Sequence, residues 1–171
     1  MAHIIADSTC DLTLAQAEEL GATLLSLRVL FGEEVYLDKR TLTNEEFYQK
    51  LGESEEFPTT SLLNPEDFLD AFKAHPEEEI VVLTISEQLS GTYQSALLAK
   101  ETSGRCDVYV VNTQNTSVGM GLLVRRAVEM NRAGIPAERI ASGILQLADR
   151  VRLIGVVDTL QYLVKGGRLG R

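Results

Sequence analysis

At 171 residues the chain can form one domain with a full core or two very small ones. Its 44% hydrophobic content is that of an ordinary globular protein. The 25 acidic residues outnumber the 16 basic ones, which argues against nonspecific nucleic-acid or anionic-membrane binding but leaves room for a small anionic ligand at a local site.

In chain order, His3 to Ala6 is a short apolar run and reads as a buried strand. It ends in Asp7-Ser8-Thr9, a polar turn with three potential ligands. Leu12 to Leu20 has helical spacing, and Gly21 suits its C-terminal cap. Thr23 to Phe31 reads as one strand, Gly32-Glu33-Glu34 as a turn and Val35 to Leu37 as a short strand. Thr43 with Glu46 three residues on forms a capping box before a helix. Asn64-Pro65 opens a second one, with proline at its first position. Phe57 to Ser61, between these helices, reads as neither helix nor strand.

Ile80 to Ile85 is continuously apolar, as expected of a strand buried on both faces. Leu89 to Lys100 reads as a helix, Val108 to Val111 as a second buried strand, and Asn112 to Ser117 as another polar turn. Helices follow over Val118 to Asn131, closed by Gly134, and from Pro136 to about Arg150. Leu153 to Val157 reads as a last short strand before DTLQYLVKGGRLGR. The alternation from Glu79 onward predicts an α/β fold: a mainly parallel sheet with helices on both faces.

Ligands of such sheets sit beyond the carboxyl ends of the strands. Three polar turns follow predicted strands there, at Asp7 to Thr9, Ser86 to Thr92 and Asn112 to Ser117. Ser90-Gly91-Thr92, where strand hands over to helix, suits two roles. It is a helix cap, or a cradle for a carboxylate or phosphate made of hydroxyls and free amides. Thr59-Thr60-Ser61 offers more hydroxyls than one cap uses. Asp7 serves as a ligand or as a turn former bonded to its own backbone. Arg168, after Gly166-Gly167, either pairs with an anion at this edge or is a solvated tail residue.

Catalytic and metal motifs are missing. The chain has no G-x-S-x-G, no H-E-x-x-H and no G-x-x-x-x-G-K-[ST]. His3 and His75 lie in a strand and at a helix end, away from any serine motif, and Cys10 and Cys106 form no metal-like pair. The acidic runs Glu53 to Glu56 and Glu77 to Glu79 read as solvated surface. Asn115-Thr116-Ser117 fits a glycosylation sequon, but the first residues reach Asp7 too early for a secretory signal. No apolar run approaches the ~18 residues that span a bilayer, so neither stable membrane insertion nor an export route is expected, and the location expected is cytoplasmic.

IIADSTCDL, PTTSLLNPEDF, ISEQLSGTYQSALLA and TLQYLVKGGRLGR, in this order, resemble the DegV family from Ile4 to the last residue. These are bacterial fatty-acid-binding proteins, the substrate-binding subunits of fatty acid kinase. The resemblance implies that a long-chain fatty acid binds with its carboxylate held by the PTTS and SGT hydroxyls. A separate Dak2-type kinase then phosphorylates it to an acyl-phosphate for phospholipid synthesis. Carried over by motif, the carboxylate site is Thr60, Ser61, Ser90, Gly91, Thr92 and Arg168, with no catalytic residue, metal or cofactor of the chain's own. Two positions depart from the family pattern: Leu62 stands where a glutamine is usual, and Glu87 follows Ser86 where a second serine is usual. The resemblance also implies two domains. Residues 1–160 are then a lipid-binding N-terminal domain, and 161–171 begin the connection to a second domain. Two other readings stand beside it. One is a phosphotransferase or hydrolase acting on a small anion at the same cradle. The other is a lone domain that keeps the fold but has lost its ligand.

Overall fold

The computed structural model describes residues 1–54 and 56–169. Glu55 of the first acidic run, and Gly170 and Arg171 of the tail, lie outside the described residues. Strands β1 (His3–Asp7), β2 (Ala22–Leu25), β6 (Ile80–Thr84) and β7 (Val108–Asn112) form one parallel sheet in the order β2-β1-β6-β7. Strands β3 (Arg28–Phe31), β4 (Glu34–Leu37) and β5 (Thr59–Ser61) form a small antiparallel sheet in the order β4-β3-β5.

β6 sits inside the large sheet and all of its residues are buried, as its unbroken apolar run requires. Side chains alternate across the pleat, so each central strand serves two cores. Ile4, Ala6, Val81 and Leu83 face one cluster, filled by α1 (Leu14–Leu20), α5 (Ser117–Arg132) and α6 (Ala137–Ala148). Ile5, Ile80 and Val82 face the other, filled by α3 (Pro65–Lys73) and α4 (Thr92–Ser103). The expected α/β sheet with helices on both faces is what forms.

Local signals explain most element ends. Thr13 and Gln16 cap α1 reciprocally, and Gly21 closes it at φ 72°. Thr43 and Glu46 do the same for α2 (Asn44–Glu53). Pro65 stands in the first turn of α3, where its missing amide costs nothing. Mid-helix Gly121 has a packing reason. A Cβ there would lie 2.5 Å from the Cys10 carbonyl oxygen, so glycine lets α5 close on the 3-10 turn Ser8–Cys10.

Four expectations are corrected. Thr23 to Phe31 is two strands in two sheets, because the Leu27 amide leaves the ladder and donates to Ser8 Oγ at 3.1 Å. Phe57 to Ser61 contains strand β5, recruited by the exposed edge of β3 rather than by its own propensity. Leu153 to Val157 is no strand: no described neighbour pairs with it, and Ile154 and Val156 are exposed. The helix predicted from Leu89 begins at Thr92, and a short α7 (Gln161–Lys165) follows the exposed stretch.

Candidate functional site

The crossover from β1 to β2 runs through α1 on one face, and that from β6 to β7 through α4 on the other. Strand order therefore reverses between β1 and β6, and their carboxyl ends flank the crevice where open α/β sheets bind ligands. Asp7 closes the bottom of that crevice. One carboxylate oxygen accepts the Ile85 amide at 2.7 Å, and the other accepts the Thr9 amide at 3.0 Å. Burial pushes the Asp7 carboxyl up, against the pull of the Thr9 and Ile85 hydrogen bonds and of Lys39. Asp7 is thus the turn former of the two readings given for it. Its neighbours are spent as well: Ser8 Oγ accepts from Leu27, and Thr9 Oγ1 donates to Asp7. Across the sheet, Thr113 Oγ1 donates to the Thr84 carbonyl at 2.7 Å.

The turn before α4 is built differently. The Leu89 and Ser90 amides both donate to the Ser86 carbonyl, at 2.9 and 3.2 Å, which winds the chain back toward the helix. Ser90 Oγ and Thr92 Oγ1 lie 2.9 Å apart, and the Thr92 amide donates to Ser90 Oγ at 3.3 Å. Thr92 is fully buried, whereas Ser90 keeps a partly exposed face. No side chain caps the helix at Gly91.

Strand β5 brings the second motif alongside. Thr60 pairs with Val29 in register and is exposed, and Ser61 is half-buried. Leu62 follows, its Cδ2 3.0 Å from where a Cβ on Gly91 would stand, so the Thr-Thr-Ser strand and the Ser-Gly-Thr turn are in contact. Arg28 holds this sheet to the domain by a two-pronged pair with Asp67, at 2.9 and 2.8 Å. These bonds hold the Asp67 carboxyl below its ordinary value.

Arg168 arrives from the far end of the sequence. Its Nε donates to the Leu89 carbonyl at 3.3 Å, one residue from Ser90. Phe57 and Tyr162 stack with centroids 5.5 Å apart, and Lys165 Nζ lies 5.1 Å from the Phe57 ring centre. Between α2, β5 and α7 lies a cavity of about 560 Å³, with apolar walls from Phe47, Leu51, Tyr162 and Leu163 and with Thr60 and Arg168 on its lining. That volume suits a small-molecule ligand.

All six residues expected at the site therefore lie in one neighbourhood. Ser90 and Thr92 share a hydrogen bond, Gly91 abuts Leu62 beside Ser61, and Thr60 and Arg168 share the cavity. Sequence reasoning missed the apolar wall from α2. Phe47 and Leu51 are spaced for one helix face, but nothing local says what that face meets. It also missed Glu87, which accepts from Asn112 Nδ2 at 2.9 Å and ties the turn to the end of β7. Among the described residues no metal-ligand cluster lies at this edge; the one such group, His3, His75 and Glu78, is at the opposite end of the sheet. No described helix is long and apolar enough to cross a membrane.

Known proteins share this architecture. A DegV domain-containing protein of Clostridium perfringens is 33% identical over 98% of the chain, which covers 61% of that protein. A Thermus thermophilus structure, described as fatty acid binding of a DegV family protein, is 36% identical with a TM-score of 0.84, over 99% of this chain and 61% of that one. A stearic acid-binding protein from Eubacterium ventriosum is 32% identical, again with a TM-score of 0.84 and the same coverage. The chain thus spans about three fifths of the length of these relatives. The family model described as uncharacterised protein, DegV family, matches residues 1–171, and with that match end to end the chain belongs to the DegV family.

Proposed function

We propose that this protein binds a long-chain fatty acid. Its carboxylate is held by Ser90 and by Thr60 or Ser61, with Arg168 beside them, while Gly91 and the buried Thr92 shape and support the turn. The observation that carries this reading is an apolar cavity with Thr60 and Arg168 on its lining, Arg168 also donating to the Leu89 carbonyl in the turn that bears Ser90. The relatives from Thermus thermophilus and Eubacterium ventriosum, described as binding fatty acids, support the ligand class. The chemistry agrees. A desolvated carboxylate needs several donors to stay ionised, and a nearby cation helps. Each buried methylene adds roughly 0.8 kcal/mol, so the tail supplies affinity and the hydroxyls supply orientation.

The finer proposals follow from the same resemblance. Residues 1–160 are the lipid-binding N-terminal domain, and residues from 161 lead toward a second domain that completes the cover over the acyl chain. As the resemblance implies, a separate Dak2-type kinase transfers phosphate to the bound acid in the cytoplasm. The test is mass spectrometry of an organic extract of the purified protein, with titration of stearate into delipidated protein. Co-purified long-chain fatty acid, or saturable stearate binding, is the expected result. Absence of fatty acid from the extract together with absence of stearate binding overturns the reading for this chain.

A further inference from the structure

Away from the anion edge, three groups with metal-binding chemistry come together where the sheet begins. His3 opens β1, His75 follows the end of α3, and Glu78 precedes β6. One ligand atom from each lies within 4.8 Å of the others. The imidazoles are stacked, with centroids 3.4 Å apart and planes 15° apart, and His75 Nδ1 lies 2.8 Å from Glu78 Oε1. The geometry points to a binding site for a divalent transition cation of the zinc, cobalt or nickel class, held by His3, His75 and Glu78.

Four features support it. Imidazole nitrogens with a single carboxylate suit borderline cations and not magnesium or calcium, which take oxygen ligands. The scaffold is rigid, because Arg105 donates to the carbonyls of Phe72, His75 and Glu78 and pairs with Asp107. The His3 amide donates to the Glu79 carbonyl at 2.7 Å, which fixes the strand against the same loop. His3 Nε2 lies 2.7 Å from Thr23 Oγ1, an outer partner of the kind that orients a ligating ring.

The stack must open for both rings to bind. Lone pairs of parallel rings run side by side, whereas two zinc ligands sit ~3.4 Å apart and converge. His75 and Glu78 are the groups that turn, because both are partly exposed, at 23% and 45%, while His3 is pinned between Thr23 and the sheet. Three protein ligands leave the fourth position to water.

The test uses tag-free protein, cleared with chelator and titrated with Zn²⁺ by calorimetry and with Co²⁺ by visible absorption. One saturable equivalent and a cobalt d–d band are expected. His75→Ala and Glu78→Gln should each weaken binding about tenfold or more while the far-UV spectrum is unchanged. Should His75→Ala fail to fold, Glu78→Gln carries the test. Cys106 is an exposed thiol, so Cys106→Ser is expected to bind as the parent does. Absence of saturable binding overturns the site. So does binding that survives both ligand variants, or binding that disappears with Cys106→Ser.

Discussion

The Asp7 carboxylate accepts the Ile85 amide at 2.7 Å, joining the ends of β1 and β6 across the reversal in strand order. Asparagine keeps the shape there but turns one acceptor into a donor, leaving a buried N–H without a partner. Asp7→Asn should therefore lower stability by about 1–3 kcal/mol in urea titrations. The pH dependence has a definite sign. Burial raises the folded-state value of Asp7, so its contribution is complete below the unfolded value near 3.9 and is lost as pH climbs through the folded value. The margin of the wild type over Asp7→Asn should narrow as pH rises. A margin that widens would mean the hydrogen bonds outweigh burial.

Asp67 should behave in the opposite way. Hydrogen bonds from Arg28 lower its folded-state value against the cost of burial. Its contribution is then present above about pH 4 and lost as pH falls through the folded value. Asp67→Asn should cost about 1 kcal/mol at pH 7, and the gap should close in acid. Denaturation midpoints at pH 7 and pH 3 check this; an equal gap at both would remove the ion pair as its source.

Two glycines should respond differently to the same added methyl. At Gly121 the methyl meets a backbone oxygen at 2.5 Å, so Gly121→Ala should destabilise by about 1–3 kcal/mol despite the better helix propensity of alanine. At Gly91 it meets the end of a flexible leucine at 3.0 Å, and φ is −73°, so Gly91→Ala should cost less than about 1 kcal/mol. Melting temperatures of the pair, measured side by side, decide the point.

Ser90→Ala should leave the fold intact and weaken fatty acid binding about tenfold to a hundredfold, the range for one hydrogen bond to a charged group. Displacement of a fluorescent fatty acid is the readout, with Thr9→Val as a control away from the proposed carboxylate contacts. Unchanged affinity in Ser90→Ala would place the carboxylate elsewhere.

Elements were legible in the sequence where their causes are local. Thr43 with Glu46, Pro65 after Asn64, and Gly21 after Leu20 each mark a helix end through bonds or angles within one turn. The buried run at Ile80 announces a central strand because both of its faces must be apolar. Legibility failed where the cause lay elsewhere in the chain. Nothing between Thr23 and Phe31 reveals that Ser8 takes the Leu27 amide and ends the first strand. Thr59 to Ser61 became a strand because β3 had an open edge. The motifs named the residues of the candidate site, but the apolar wall from α2 needed three dimensions.

The pleat of β1 carries a last consequence. Ile4 and Ile5 share a peptide bond, yet one faces the α5–α6 side and the other the α3–α4 side. Truncations at the two should combine additively to within about 0.5 kcal/mol, as though the residues were strangers. Ile5 and Phe72 lie 67 positions apart in the chain but within a single cluster, so they are the pair to examine for non-additivity. Adjacency along the polymer and adjacency in energy are separate maps here.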